Sequence, residues 1–283
     1  MSFFLIMSLL YGKPVANNIL AETKARIEAA HITPGLAVIL VGDDDSSHLY
    51  VNLKEKAAQS IGIHFERYIF PKTIANEEIF KCIGELNLRS DIHGIIVQLP
   101  LPLGLPTDEI IARIDPRKDT DGFHPETVKK FLVGELSECP VFPRAMIEVL
   151  RFGQYNYIGE KGLVIANSEL LGKVLTQALV NEGLQAEYIL SKEKPKIILA
   201  KTKKARVILT ACGIPNLITR EMISEDVIVI DGGISHRDGK VVGDAERASV
   251  EKKARYLSPV PCGVGPVTVA TLLARAVEHA LVD

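Results

Sequence analysis

Tyr50 and Lys54 stand four residues apart, the spacing that puts two side chains on one face of a helix. Further along come an amide, Gln98, and the loop Lys118-Asp-Thr-Asp-Gly-Phe-His-Pro125, in which Asp119 and Asp121 are both available. A phenol, an amine, an amide and a carboxylate gathered in one crevice make an acid–base site. A lysine can carry a proton through a reaction once its surroundings lower its pKa, with the other groups orienting it.

The elements between these residues decide whether they meet. Gly35-Leu-Ala-Val-Ile-Leu-Val-Gly42 is a continuous apolar run, as expected of a strand buried on both faces. Asp43-Asp44-Asp45-Ser46-Ser47 is suited to cap the helix that carries Tyr50, Lys54 and Ala57. His64 to Phe70 reads as a second strand, and Asn76 as the cap of a helix with Ile79, Ile83 and Leu86 on one face. A third strand, Gly94 to Gln98, runs into Leu99-Pro100-Leu101-Pro102. Each group of polar residues thus follows a strand, and open α/β sheets bind ligands beyond the carboxyl ends of their strands.

Each residue alone has a plainer reading. A Tyr-x-x-x-Lys spacing arises by chance on exposed helices. It also marks short-chain dehydrogenases, but there it lies deep in the chain, after an amino-terminal glycine-rich loop that is missing here. Asp-Gly is commonly a turn, His124 before Pro125 reads first as structural, and Gln98 can satisfy backbone groups of the proline-rich turn. The coincidence of three groups at strand ends raises the site above these readings.

The composition shifts around Cys139-Pro-Val-Phe-Pro143. A helix over Ala145–Phe152 follows, then strands at Leu163–Ile165, Ala186–Leu190, Val207–Thr210 and Val227–Asp231, and a closing apolar-faced helix from Pro266 to Leu281. Repeated strand–helix–strand units imply parallel sheets. The expected architecture is two α/β domains, residues 1–143 plus 265–283 and residues 144–264, the second Rossmann-like.

With 283 residues, 47% hydrophobic and 24% charged, the chain reads as soluble and globular. A net charge of −2 gives no footing for nonspecific nucleic-acid binding. Cys82, Cys139, Cys212 and Cys262 are scattered, with no Cys-x-x-Cys pair. That argues against a zinc site and a disulfide scaffold and fits a reducing cytoplasm. The start, MSFFLIMSLL, is too short to span a membrane and reads as a first strand plus a few extra residues; Met7 is an alternative start.

The stretch Gly162-Leu-Val-Ile-Ala-Asn-Ser-Glu-Leu-Leu-Gly172 runs from a strand into a helix. A nucleotide-binding unit is expected to turn there on a glycine beneath the phosphates. Ala166 and Asn167 stand at the turn instead, and glycine returns only at Gly172.

Five stretches, taken in order, are similar to the methylenetetrahydrofolate dehydrogenase/cyclohydrolase family: Tyr50-Val-Asn-Leu-Lys54; Gly94-Ile-Ile-Val-Gln-Leu-Pro-Leu-Pro102; Lys118-Asp-Thr-Asp-Gly-Phe-His-Pro125; Gly239-Lys-Val-Val-Gly-Asp244; and Pro259-Val-Pro-Cys-Gly-Val-Gly-Pro-Val-Thr268. The similarity covers the chain from about Gly12 onward. It implies two α/β domains with a cleft between them, a homodimer, and NADP as cofactor, with NAD as the less common choice. The implied reaction is oxidation of methylene-tetrahydrofolate to the methenyl form, then hydrolysis to formyl-tetrahydrofolate. Lys54 is the implied acid–base group, oriented by Gln98 and Tyr50, with Tyr50 also stacking on the aminobenzoyl ring. Asp121 is implied to hold the pterin amino and ring N–H groups, with Leu99, Pro100, Pro261, Gly263 and Val264 around the folate. Ala166, Asn167, Ser168, Ser191, Lys192 and Ile234 are the implied cofactor contacts, and no metal is implied.

Several positions depart from the family pattern. Pro140-Val-Phe-Pro-Arg-Ala145 replaces Pro-Cys-Thr-Pro-x-Gly, Thr127-Val-Lys129 replaces Asn-x-Gly, and Cys262 replaces a glycine. The nucleotide loop has Ala166 for its first glycine and lacks its proline. An alanine held in a left-handed conformation costs about 1–2 kcal/mol, and Glu169 brings negative charge to the helix start where a phosphate would bind. These departures frame the alternative: weakened nucleotide binding in a cyclohydrolase-only enzyme, or in a noncatalytic folate-binding or partner-binding paralogue.

Overall fold

The computed structural model describes residues 9–237 and 239–282. In chain order the helices and strands are α1 (Gly12–Ala30), β1 (Gly35–Val41), α2 (Asp45–Ser60), β2 (His64–Phe70), α3 (Asn76–Leu88), β3 (Gly94–Val97), α4 (Thr107–Ile111), α5 (Pro125–Leu132), α6 (Val141–Phe152), β4 (Lys161–Ala166), α7 (Glu169–Asn181), β5 (Gln185–Leu190), α8 (Pro195–Thr202), β6 (Val207–Ala211), β7 (Ile228–Asp231), β8 (Ser235–Arg237), β9 (Lys240–Val242), α9 (Arg247–Val250), β10 (Tyr256–Ser258) and α10 (Val264–Ala280). They divide into two compact units, one of residues up to Ala16 with Phe142–Thr268, the other of Asn17–Val141 with the chain from Val269.

The unit containing Lys54 is built on a three-stranded parallel sheet in the order β2-β1-β3. All seven residues of β1 are buried, and they alternate between two cores. Leu36, Val38 and Leu40 join Ile27, Val51, Ala58, Leu272 and Val277 from α1, α2 and α10. Ala37, Ile39 and Val41 join Ile79, Ile83, Leu86 and Ile110 from α3 and α4. The unbroken apolar run therefore follows from helices on both faces, each buried Leu or Ile contributing about 1.5–3 kcal/mol.

The other unit holds a five-stranded sheet in the order β10-β7-β6-β4-β5, parallel throughout. From β4 the chain steps outward to β5, then returns past β4 to β6, so the order reverses between β4 and β6. That reversal is the switch point at which doubly wound sheets bind their ligands. Gly172 is in α7, where a Cβ would lie 2.6 Å from the Tyr188 ring, so its role is close packing of helix on strand.

Several expectations shift in detail. Asn76 is the first residue of α3 and Ala75 takes the cap position without a side-chain bond; Asp44 does cap α2, accepting from the Ser47 N–H at 2.7 Å. α6 begins at Val141, ahead of Pro143, and α10 at Val264, ahead of Pro266. α1 begins at Gly12, ahead of Pro14. In all three the proline is the third helical residue, where its missing N–H belongs to the first turn, which has no intrahelical acceptor anyway. The expected division at 143 and 264 falls instead at 141 and 268, and residues up to Ala16 group with the five-stranded sheet. Leu10 N–H donates to Leu257 O, Gly12 N–H donates to Cys262 O, and a Cβ on Gly12 would lie 1.8 Å from Gly263 O. The expected first strand falls largely outside the described residues; Leu9 makes one parallel bridge to Leu257.

The strain anticipated at Ala166 is not there. Ala166 is the last residue of β4 and is not among the residues with positive φ, whereas Cys262 has φ +81°. That conformation disfavours any side chain by about 1–2 kcal/mol. Cys262→Gly is accordingly expected to raise stability by about 1 kcal/mol, read as a higher urea midpoint with unchanged slope. An unchanged or lower midpoint would show that Cys262 is held by contacts outweighing the strain.

Candidate functional site

Lys54 is only 8% exposed, although it lies on the outward course of α2 after β1. Its Nζ donates to Gln98 Oε1 at 2.8 Å. Gln98 follows β3, and its Nε2 donates to Leu99 O at 2.7 Å, which turns the amide oxygen toward the lysine. An amide carbonyl brings no charge to balance an ammonium. Burial therefore dominates and pushes the Lys54 pKa below its ordinary value, opposed by the charge of Asp121. Tyr50 lies one turn earlier on α2, half-buried.

The loop after β3 separates its two aspartates. Asp119 is buried, and its two oxygens accept from the N–H groups of Gly122 (3.0 Å) and His124 (2.8 Å). Asp121 has no hydrogen-bond partner for its carboxylate among the described residues, while its backbone carbonyl accepts from Val141 N–H at 3.0 Å. Asp119 thus shapes the loop and leaves Asp121 free for a ligand. Loss of water around it raises the Asp121 pKa, opposed by the Lys54 charge. Gly122 has φ +80°, and a Cβ there would lie 2.7 Å from Pro140 Cα.

His124 is structural: its Nδ1 accepts from Glu126 N–H at 3.1 Å and caps α5, with its Nε2 3.3 Å from Ala112 O. Lys118 Nζ donates to the carbonyls of Leu86 and Arg89 and closes α3. Leu99 and Pro100 are exposed beside Gln98, joined by a cis peptide bond. Arg275 escaped the sequence reading. It is buried on α10, donates to Cys139 O and Glu138, and adds its charge near Asp121. Its signal was a single arginine inside the apolar run Leu272-Leu-Ala-Arg-Ala-Val277.

In the other unit, Asn167 and Ser168 are exposed where β4 gives way to α7. Ser168 is the helix cap, its Oγ accepting from Leu171 N–H at 3.4 Å. Ala166 is wholly buried and its carbonyl accepts from Ser191 N–H at 2.9 Å, so its methyl does not project over the turn. Glu169, expected to oppose a phosphate, lies 3.6 Å from Lys173 one turn on. Ser191 and Lys192 follow β5, and Ile234 follows β7, 45% exposed. Pro261 and Cys262 are exposed, while Gly263 and Val264 are buried.

These residues fit a dinucleotide. A helix start at the switch point offers N–H groups to a pyrophosphate. A serine and a lysine at the end of β5, Ser191 and Lys192, offer a hydroxyl and a positive charge suited to a ribose carrying a 2′-phosphate, with Glu193 next in the same turn. A cavity of about 410 Å³ lies at the opposite end of β4 and β5, around Lys161 and Gln185 at the strand starts, away from the ligand-binding end. Among the described residues no group of acidic, His or Cys side chains is arranged to hold a metal, and no helix is long and apolar enough to cross a membrane.

Two family models match in succession: tetrahydrofolate dehydrogenase/cyclohydrolase, catalytic domain, over residues 10–121, and its NAD(P)-binding domain over residues 140–283. The bifunctional protein FolD of Nautilia profundicola is 38% identical, with 97% of each chain covered. The crystal structure of the bifunctional FolD of Campylobacter jejuni superposes with a TM-score of 0.91 at 36% identity, covering 96% of this chain and 98% of that one. That of Trypanosoma brucei FolD, complexed with NADP cofactor and inhibitor, gives 0.91 at 28% identity, covering 97% and 98%. With both domains matched and the sequence shared end to end, the chain belongs to the tetrahydrofolate dehydrogenase/cyclohydrolase family.

Proposed function

We infer that this chain oxidises methylene-tetrahydrofolate with NADP and hydrolyses the methenyl product to formyl-tetrahydrofolate. The observation that carries the reading is the buried Lys54 amine, 2.8 Å from Gln98 Oε1, in the same unit as the unpartnered carboxylate of Asp121. Asp121 accepts from the pterin amino and ring N–H groups and fixes the ring, a charge-assisted contact. Tyr50 stacks on the aminobenzoyl ring, and Leu99, Pro100, Pro261, Gly263 and Val264 contribute the remaining folate contacts.

In the hydrolytic step the neutral Lys54 amine takes a proton from water as the water oxygen bonds to the bridging carbon. It returns that proton to the ring nitrogen as the carbon–nitrogen bond breaks, and the adduct hydroxyl releases its own proton to solvent as it becomes the carbonyl, leaving the formyl group on the second nitrogen. Gln98 holds the amine in place through both transfers. NADP, when bound, accepts the hydride from the methylene carbon in the preceding oxidation. Asn167 and Ser168 supply the turn under its pyrophosphate, Ser191 and Lys192 meet the 2′-phosphate, and Ile234 flanks the ring. The buried position of Ala166 in β4, without a positive φ, takes away the backbone-strain argument for a degenerate nucleotide site. The homodimer and the cytoplasmic location belong to the same reading, supported by the family resemblance and by four free cysteines.

Lys54→Met is expected to lower methenyl hydrolysis by about a hundredfold or more; full retention of rate contradicts the role given to Lys54. The same substitution has a stability signature. Because folding lowers the Lys54 pKa, the unfolded chain binds more protons between the lowered value and 10.5, and stability rises with pH across that window. Removing the amine therefore raises Tm at neutral pH, and the gain shrinks as pH climbs toward 10.5. A gain that grows with pH would reverse the sign. On the nucleotide side, fluorescence titration is expected to show Lys192→Ala weakening NADP by about three- to tenfold with NAD little changed. Equal effects on both nucleotides contradict the 2′-phosphate assignment.

A further inference from the structure

Asp231 and Asp244 are both buried at the carboxyl ends of β6 and β7, 2% and 0% exposed. Three donors converge on each carboxylate. Asp231 accepts from the N–H groups of Gly233 (2.9 Å), Asp244 (3.2 Å) and Ala245 (2.8 Å). Asp244 accepts from Thr210 Oγ1 (2.7 Å) and from the N–H groups of Cys212 (2.7 Å) and Ile214 (2.8 Å). Two glycines let them approach. A Cβ on Gly233 would lie 2.1 Å from the Asp244 carboxyl carbon, and one on Gly243 2.1 Å from an Asp231 oxygen. The four residues form a clasp, and it accounts for the Gly-Asp pair that ends Gly239–Asp244, which neither catalysis nor substrate binding uses.

What the clasp shapes is the rim of the switch point. Cys212, Gly213 and Ile214 leave β6, whose neighbour β4 carries the Asn167–Ser168 turn. Gly213 has φ +68°, and a Cβ there would lie 3.6 Å from Ile234 O, so the turns after β6 and β7 touch. Ile214 and Ile234 are 39% and 45% exposed, two apolar side chains left at the strand ends. With the 2′-phosphate side over β5 and the pyrophosphate at β4, the other half of a dinucleotide lies over β6 and β7.

We propose that Asp244 is a positioning residue for the nucleotide: by gathering Thr210 Oγ1 and the Cys212 and Ile214 N–H groups on one carboxylate, it holds the turns after β6 and β7 in the shape that receives the nicotinamide half of NADP. This rests on the NADP reading above. Asp244 does not touch the ligand and takes no part in hydrolysis, which belongs to residues of the other unit.

Asp244→Asn tests it. An amide has one acceptor oxygen, so its NH2 faces at least one of the three donors. NADP Kd and the KM for NADP are expected to rise about tenfold or more, while methenyl hydrolysis stays within about twofold of wild type. An unchanged NADP Kd overturns the proposal, as does a parallel fall in hydrolysis, which marks a general structural role. Should Asp244→Asn lack a cooperative melt, Thr210→Val removes a single donor. A rise of about threefold in the NADP KM with hydrolysis intact then supports the proposal, and an unchanged KM overturns it. Wild-type protein is titrated alongside: failure of the wild type to bind NADP sinks the nucleotide reading and this inference with it, whereas wild-type binding with an indifferent Asp244→Asn sinks the inference alone.

Discussion

A lysine ammonium removed from water and given only a carbonyl for company does not hold its proton as a surface lysine does. Lys54 is in that position, 8% exposed against Gln98 Oε1, and the surrounding unit is arranged to keep it so. β1 and β3 are anchored by apolar cores on both faces, which fixes the strand ends from which α2 and Gln98 depart. Asp44 caps α2 and sets where its turns begin. The one opposing influence is the Asp121 charge, neither group making an ion pair among the described residues. In the proposed reaction, substrate capture by Asp121 and proton transfer by Lys54 would thereby be coupled: binding that engages the carboxylate would alter the charge felt by the amine.

Both units use buried carboxylates as backbone clamps. Asp119 draws in two N–H groups and shapes the loop that presents Asp121. Asp231 and Asp244 each draw in three donors at the ends of β6 and β7. Hydrogen bonding to the charged form compensates part of the loss of water. For Asp231 burial remains dominant and pushes its pKa up to about 7. In each case the clamp is at the carboxyl end of a parallel sheet, the end at which ligands bind.

How far the sequence foretold this can be judged residue by residue. β2 was legible to both ends, and β1 from its apolar run, because strand signals there are local. Lys54, Gln98 and the acidic loop were legible as strand-end polar groups. Two helix starts were read late, at Ala145 and Pro266, whereas α6 begins at Val141 and α10 at Val264; a proline in a first turn differs from a breaker only by where the helix begins. Asp119 and Asp121 are chemically identical, and it was the resemblance that singled out Asp121; the Gly122 and His124 N–H groups, from which Asp119 accepts, give the physical difference. Backbone strain was expected at Ala166, which replaces a family glycine, but is found at Cys262, which replaces another. A missing glycine signals strain only where φ is positive, and φ is not written in the sequence.

The central claim is that burial holds the Lys54 amine below its ordinary pKa, and a direct titration of its side-chain nitrogen by NMR tests it, run on wild type and on Asp121→Asn. The account predicts a wild-type midpoint clearly below 10.5, moved lower still when the Asp121 charge is removed. A midpoint at or above 10.5, or one that rises in Asp121→Asn, would contradict it.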